Sequence, residues 1–216
     1  MKKGHLGNRK RSALCWLAAL AAMMLLCDWT GIYGLTPRSA LRRTEELFFT
    51  GRTTVEASFR GHGGHRIILS QNEEVVLCSI ASWYPRRGFQ EGAPLLGYRS
   101  GFPLLLERTD QMADAGYAWY DWDTESSYYP FLVAGCVNDA RVTVLEIQLL
   151  GPDGGEAFVW PVELQEAGDG RRYFLLDMGV LSALPEAVWL EGQDIAGNEI
   201  GRQKLEYGVS MVENFT

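Results

Sequence analysis

From residue 130 onward the chain is a run of short strand-like segments cut apart by turn chemistry, and this constrains the fold more than any other feature. The segments are Phe131–Val137, Val142–Leu150, Ala157–Leu164, Tyr173–Met178, Val188–Gln193 and Ile200–Tyr207. Between them stand Asn138-Asp139, the Gly151–Gly155 run, Gly168-Asp169-Gly170 and Gly197-Asn198, residues that favour turns through positive φ or side-chain bonds to their own backbone. Val142–Leu150 alternates over part of its length, as one buried face of a sheet requires. Short strands at this spacing, with no long helical pattern between them, argue for an antiparallel β-sandwich and against a parallel sheet with crossover helices.

Upstream, Thr36-Pro37 reads as a helix start, with Thr as N-cap and Pro at the first helical position. Leu41, Glu45 and Phe48 then fall at helical spacing, predicting a short amphipathic helix from Pro37 to about Phe49. Thr53–Arg60 and His65–Ser70 read as a hairpin about Gly61–Gly64, and Val75–Ala81 as a buried strand. Residues 83–102 are rich in Gly, Pro and Arg and read as loop, with room for a short strand.

The stretch Phe131–Tyr207 resembles bacterial extracellular modules of the immunoglobulin or fibronectin III type. The resemblance is carried by Ala134–Asp139 (AGCVND), Val142–Gly154 (VTVLEIQLLGPDG) and Trp189–Gly201 (WLEGQDIAGNEIG), the last with a D-x-x-G-N turn before the final strand. It covers about a third of the chain. The whole layout is similar to uncharacterised single-pass surface proteins of Gram-positive bacteria. That likeness implies a location and supplies no catalytic residues.

The N-terminus supports that location. Lys2, Lys3, Arg9, Lys10 and Arg11 precede an apolar run, Ala13–Leu26, that resumes after Asp28 with Trp29, Ile32, Tyr33 and Leu35. Taken as continuous from 13 to 35, it is long enough for a bilayer core of ~30 Å. Its basic flank would keep the tail in the cytoplasm. A cleaved signal peptide is the rival reading, although no small-x-small site follows the run. The expected organisation is a cytoplasmic basic tail (1–12), a transmembrane anchor (13–35), a membrane-proximal α+β region (36–125), an Ig-like sandwich (126–208) and a tail (209–216). The class is mainly β, on a single-pass cell-membrane protein with its C-terminal domain outside.

Charge narrows the partners. Of 20 Lys/Arg and 27 Asp/Glu, five and one fall in the first 35 residues, leaving 15 against 26 and a net charge of −11 beyond them. Such a domain repels phosphate backbones, which argues against nucleic-acid binding. The expected partners are the membrane, through the N-terminal helix, and an envelope protein or glycan.

Chemistry-bearing residues are few. His62 and His65 flank a turn and lack further ligands at metal spacing, so a solvated turn is the reading. Cys78 and Cys136 lie in two strand-like segments, as a disulfide pair or as two buried thiols. Residues 117–131 interleave rings with acids. Trp119, Tyr120 and Trp122 beside Asp121, Asp123 and Glu125 form a candidate ligand face, rings stacking on sugar C–H faces and carboxylates taking hydroxyls; cementing of two subdomains by those rings is the other reading. No G-x-S-x-G, Walker, H-E-x-x-H or C-x-x-C pattern occurs in the sequence. The expectation is a binding, sensing or envelope-assembly protein with no catalytic residue, metal or cofactor. The alternative is a small hydrolase acting on cell-wall or glycan substrate through Asp121, Asp123 and Glu125.

Overall fold

A computed structural model describes residues 4–29, 36–61, 65–84, 97–100, 104–119, 129–151, 157–181 and 184–208. Among the described residues two helices, α1 (Gly4–Trp29) and α2 (Pro37–Leu47), precede thirteen strands: β1 (Thr54–Arg60), β2 (Arg66–Gln71), β3 (Val75–Tyr84), β4 (Gly97–Ser100), β5 (Leu104–Glu107), β6 (Ala113–Trp119), β7 (Tyr129–Val137), β8 (Val144–Leu150), β9 (Ala157–Val162), β10 (Leu164–Glu166), β11 (Arg172–Leu181), β12 (Ala187–Gln193) and β13 (Glu199–Tyr207).

The helical anchor is corrected. Among the described residues no helix is long and apolar enough to cross a membrane. The physical reason lies in how α1 divides. Its first residues are polar and basic, its uninterrupted apolar part is residues 13–26, and it ends at Trp29. Fourteen residues at ~1.5 Å each reach about 21 Å, against ~30 Å of hydrocarbon. The expected 23-residue span counted through Asp28 and into residues 30–35, which lie outside the described residues. The single-pass topology, and the inside–outside assignment that depended on it, fall with the span.

The second helix forms as its cap dictates. Thr36 is extended, its Oγ1 accepts the Ser39 N–H at 3.1 Å, and Pro37 opens the first turn. Ala40, Leu41, Thr44 and Glu45 form its buried stripe, at helical spacing. Leu41 packs with Ile68 and Leu77, and the Thr44 and Ser79 hydroxyls share a hydrogen bond of 3.2 Å. Glu45 Oε1 accepts both the N–H of Thr53 at 2.7 Å and its hydroxyl at 2.5 Å. That ties the helix to the segment entering β1.

The sheet beneath α2 has the order β1-β2-β3-β4, and β5 continues the same edge of β3 below β4. Its central strands β2 and β3 are buried on both faces. Ile68 and Leu77 meet α2, while Ile67, Leu69, Val76, Cys78 and Ile80 point the other way into a second cluster. A continuous apolar run such as VVLCSIA is what a strand covered on both sides requires.

That second cluster is shared with an eight-stranded sheet of order β10-β11-β7-β6-β13-β12-β8-β9. Its two end strands, β9 and β10, are consecutive in the chain and separated by Glu163 alone. One extended segment therefore pairs with β8 through its first half and with β11 through its second. The sheet curls into a nearly closed barrel. The expected Ig-like sandwich of two facing sheets is corrected accordingly. The strands are antiparallel to their neighbours except where β13 meets β6 in parallel, Glu206 opposite Gly116 and Tyr207 opposite Tyr117. β6, from the region ahead of residue 126, is thus inserted between β7 and β13.

The wall strands β7 and β11 separate two cores by simple alternation. Phe131, Val133 and Val137 with Phe174 fill the barrel beside Leu145, Ile147, Val188, Leu190 and Leu205. Leu132, Ala134 and Cys136 with Tyr173 face the first sheet. Both layers thus share one wall, and the loops at its end are held from two sides.

Candidate functional site

Three loops meet where β6 begins, β7 ends and β11 begins. They are residues 108–112, 138–143 and 167–171, and they enclose a cleft of about 790 Å³. Each loop is shaped by its own turn residues. The Asn138 and Asp139 N–H groups both donate to Met112 O, at 2.9 and 3.2 Å, and Asn138 Nδ2 donates to Thr109 O and Gln111 O, each at 3.3 Å. One asparagine therefore stitches the first loop to the second. Asp139 accepts from Arg141 N at 2.9 Å and from Arg141 Nη2 at 2.7 Å. The Arg141 side-chain bond is the largest cause holding the Asp139 carboxyl down, at about 2, so it is a fixed anion through the physiological range. Arg172 fastens the second loop to the third, donating to Asp139 O at 3.1 Å and to Val142 O.

The cleft's cations are braced from the neighbouring sheet. Arg108 donates through Nε and Nη2 to Asn72 O, at 3.2 and 3.0 Å, and through Nη2 to Gln71 Oε1. Arg171 Nη1 donates to the same Gln71 oxygen at 3.4 Å. Gln71 Nε2 in turn donates to Asp169 Oδ2, which also accepts the Tyr173 hydroxyl at 3.1 Å. Two guanidinium groups thus converge on one neutral amide, and Asp169 beside them offsets the positive charge. Burial, with Asp169 and Cys136 nearby, pushes the Tyr173 phenol well above its ordinary range, so this proton stays in place.

Asp114 forms the inner wall. It is 2 % exposed. Oδ1 accepts the Thr109 N–H at 2.7 Å and the Thr109 hydroxyl at 2.9 Å. Oδ2 is buried and has no partner among the described residues. Buried carboxylate oxygens are nearly always satisfied, so this one is the most unusual polar atom in the cleft.

Those residues singled out from sequence that are described lie elsewhere. Trp119 ends β6 and packs on Tyr207 with ring centroids 4.1 Å apart; Tyr117 lies 5.8 Å from Tyr207 and 5.5 Å from Phe131. Burial raises the Tyr117 phenol. Tyr120, Asp121, Trp122, Asp123 and Glu125, and with them most of the ring-and-carboxylate face and the whole hydrolase triplet, fall outside the described residues. Cys78 and Cys136 are free thiols buried in the same cluster between sheet and barrel. His65 is buried, and His62 lies outside the described residues. Among the described residues no group of three or more His, Cys, Asp or Glu is placed to hold a metal ion.

Sequence reasoning passed over Arg108, Asp114 and Arg171 altogether and saw Asn138 and Asp139 only as turn punctuation. The available signal was weak: an Asp among small residues in the segment that becomes β6, ADAGYAW. No protein-family model, curated protein or solved structure matches the chain.

Proposed function

We propose that this protein is a non-catalytic binding module that holds a small polar ligand in the cleft at the barrel end. The observation that carries the reading is the buried Asp114 Oδ2, without a partner among the described residues, at the back of a cleft whose two arginines are held by Gln71 and Asn72. Arg108, Arg171, Asp139 and Asn138 are fixed by bonds to neighbouring loops and to Gln71 and Asn72. A rim braced in this way keeps its shape while presenting both donors and acceptors, as a site specific for a polar molecule requires. Loops carried on a rigid sheet are the usual place for such a site.

The test is a titration of the full chain, labelled with nitrogen-15, against a panel of small polyols, amino acids, amines and dicarboxylates. Binding is expected to shift the amides of Thr109, Gln111, Asn138 and Arg141 together, and Arg171→Ala is expected to weaken it. A panel in which no compound moves those four amides overturns the reading.

A further inference from the structure

Behind Asp114 the cleft continues into a second groove of about 380 Å³, between β5 on one side and β6 and β13 on the other, and Thr109, Gln111 and Asp114 line both spaces. The groove exists because β6 and β13 part. Their parallel ladder is formed at Glu206↔Gly116 and Tyr207↔Tyr117. Nearer the cleft a side chain takes over, Gln203 Nε2 donating to Ala113 O at 3.1 Å. This leaves Gln203 Oε1 buried and, like Asp114 Oδ2, without a partner among the described residues.

Both orphans are acceptors, and both belong to residues that line one groove. Leaving such atoms unsatisfied is unfavourable, most of all for a charged carboxylate. The complement must supply hydrogen-bond donors. Charge sharpens the choice: Glu107, Asp114 and Glu206 stand against Lys204 in the lining, three carboxylates to one ammonium. An anion is repelled there, and a neutral hydroxyl supplies one donor. A primary ammonium carries three donors and a guanidinium five, and their bonds to a carboxylate are charge-assisted.

We propose that the ligand of this cleft bears a protonated primary amine or a guanidinium group, which enters the groove and donates to Asp114 Oδ2 and Gln203 Oε1. The inference rests on the binding reading above and names the chemical class of what is bound. Asp114 Oδ1, already committed to Thr109, holds the carboxylate in place as the second oxygen is engaged.

The experiment titrates the full chain with five probes: butylammonium, butylguanidinium, tetramethylammonium, butanol and butyrate. The first two are expected to shift the amides of Thr109, Ala115 and Gln203. Tetramethylammonium, a cation with no N–H donor, and the neutral and anionic probes are expected to bind at least about tenfold more weakly. Asp114→Asn, which keeps Oδ1 and turns the orphan oxygen into a donor, is expected to weaken the two donor cations about tenfold or more at an unchanged melting temperature. Gln203→Met, with the same check on folding, is expected to weaken them by a smaller factor. Tetramethylammonium or butanol binding as well as butylammonium overturns the inference, as does an Asp114→Asn protein that binds unchanged. Ligands from the earlier panel that move Asn138 and Arg141 with no preference for an amine leave the binding reading standing and sink this one. Silence from every compound in both experiments sinks both.

Discussion

Asp114 and Thr109 are joined twice through one oxygen: Oδ1 of the aspartate takes the threonine's N–H at 2.7 Å and its hydroxyl at 2.9 Å. This pair turns the chain from β5 into β6 and fixes the loop that forms one side of the cleft. Bonds to a charged acceptor are worth ~1.5–3 kcal/mol each, and because Thr109 is exposed, water replaces part of what its two donors lose. Asp114→Ala should therefore lower unfolding free energy by about 2–4 kcal/mol. Asp114→Asn retains Oδ1 and removes a buried charge whose second oxygen is unpaired, so it should stay within about 1 kcal/mol of wild type or exceed it. Urea unfolding measures both. Equal loss in the two variants would show that the charge, and not the two bonds to Thr109, holds this turn.

The thiols between sheet and barrel carry a pH dependence. Burial, the largest cause for both, pushes Cys78 and Cys136 up to about 12, from an ordinary value of 9.0; Asp177 adds to the shift at Cys78, while at Cys136 the Tyr173 hydrogen bond works against it. In the unfolded chain they lose their protons near the ordinary value. Between pH 9 and 12 the unfolded state therefore binds fewer protons than the folded one, and stability falls as pH rises. The contribution is fully present below pH 9 and amounts to as much as roughly 1.4 kcal/mol per pH unit for each thiol as it is lost. Cys78→Ala with Cys136→Ala should flatten the alkaline limb of a stability profile, whatever it does to stability at pH 7. A limb of the same slope in the double variant would show that other groups control it. Iodoacetamide at pH 8 should label neither thiol until the protein unfolds.

Local signals were legible and long-range ones were not. The helix from Pro37 was readable because its cap is made within four residues, by Thr36 and Ser39. Most strands lie within two or three residues of where alternation and turn residues place them, β8 at Val144–Leu150 and β12 at Ala187–Gln193 among them. What escaped, besides the short β5, was β6. Its sequence is mostly small residues, and its partner β13 lies some ninety residues away, so no local pattern announces the pairing. Without β6 the remaining strands read as a sandwich; with it, and with β9 running into β10 across Glu163, they close on themselves. The span assigned to the N-terminus failed for a related reason. Counting apolar residues across Asp28 reached the full width of a bilayer only with residues 30–35, which lie outside the described residues. The cleft was hidden because Arg108, Asp114, Asn138 and Arg171 are ordinary residues in sequence and become a site only when three loops are brought to one end of the barrel.

Among the described side chains, Leu41 is the central apolar group in the docking of α2. It is 2 % exposed and packs between Ile68 and Leu77. Truncation removes buried methyl groups and leaves a cavity that the flat sheet face cannot close, so Leu41→Ala should cost about 2–4 kcal/mol. Protease resistance of the α2 segment should fall with it, because Leu41 is the residue of α2 in the buried cluster it shares with Ile68 and Leu77. A cost below about 1 kcal/mol would mean that the Glu45–Thr53 and Thr44–Ser79 hydrogen bonds, and not burial, keep the helix on the sheet.

The insertion of β6 into the barrel has a sharp local test at Gly135. This residue stands opposite Ala115 of β6 and Phe174 of β11. A Cβ placed there would lie 2.5 Å from Asp114 O and 2.7 Å from the Ala115 Cβ. The first of these is backbone, which cannot turn aside, so β6 and β7 would have to separate. Gly135→Ala should therefore destabilise by about 2–3 kcal/mol, as overpacked cores do. Ala115→Gly alone loses a methyl group and adds chain entropy, at a cost of about 1 kcal/mol. Combined, the two should cost measurably less than their sum, because removing the Ala115 methyl relieves one of the three close contacts. Such coupling between residues twenty apart in sequence requires that β6 lie against β7 at this register. Strict additivity in a urea double-mutant cycle would place β6 elsewhere, and the cleft that Asp114 lines would go with it.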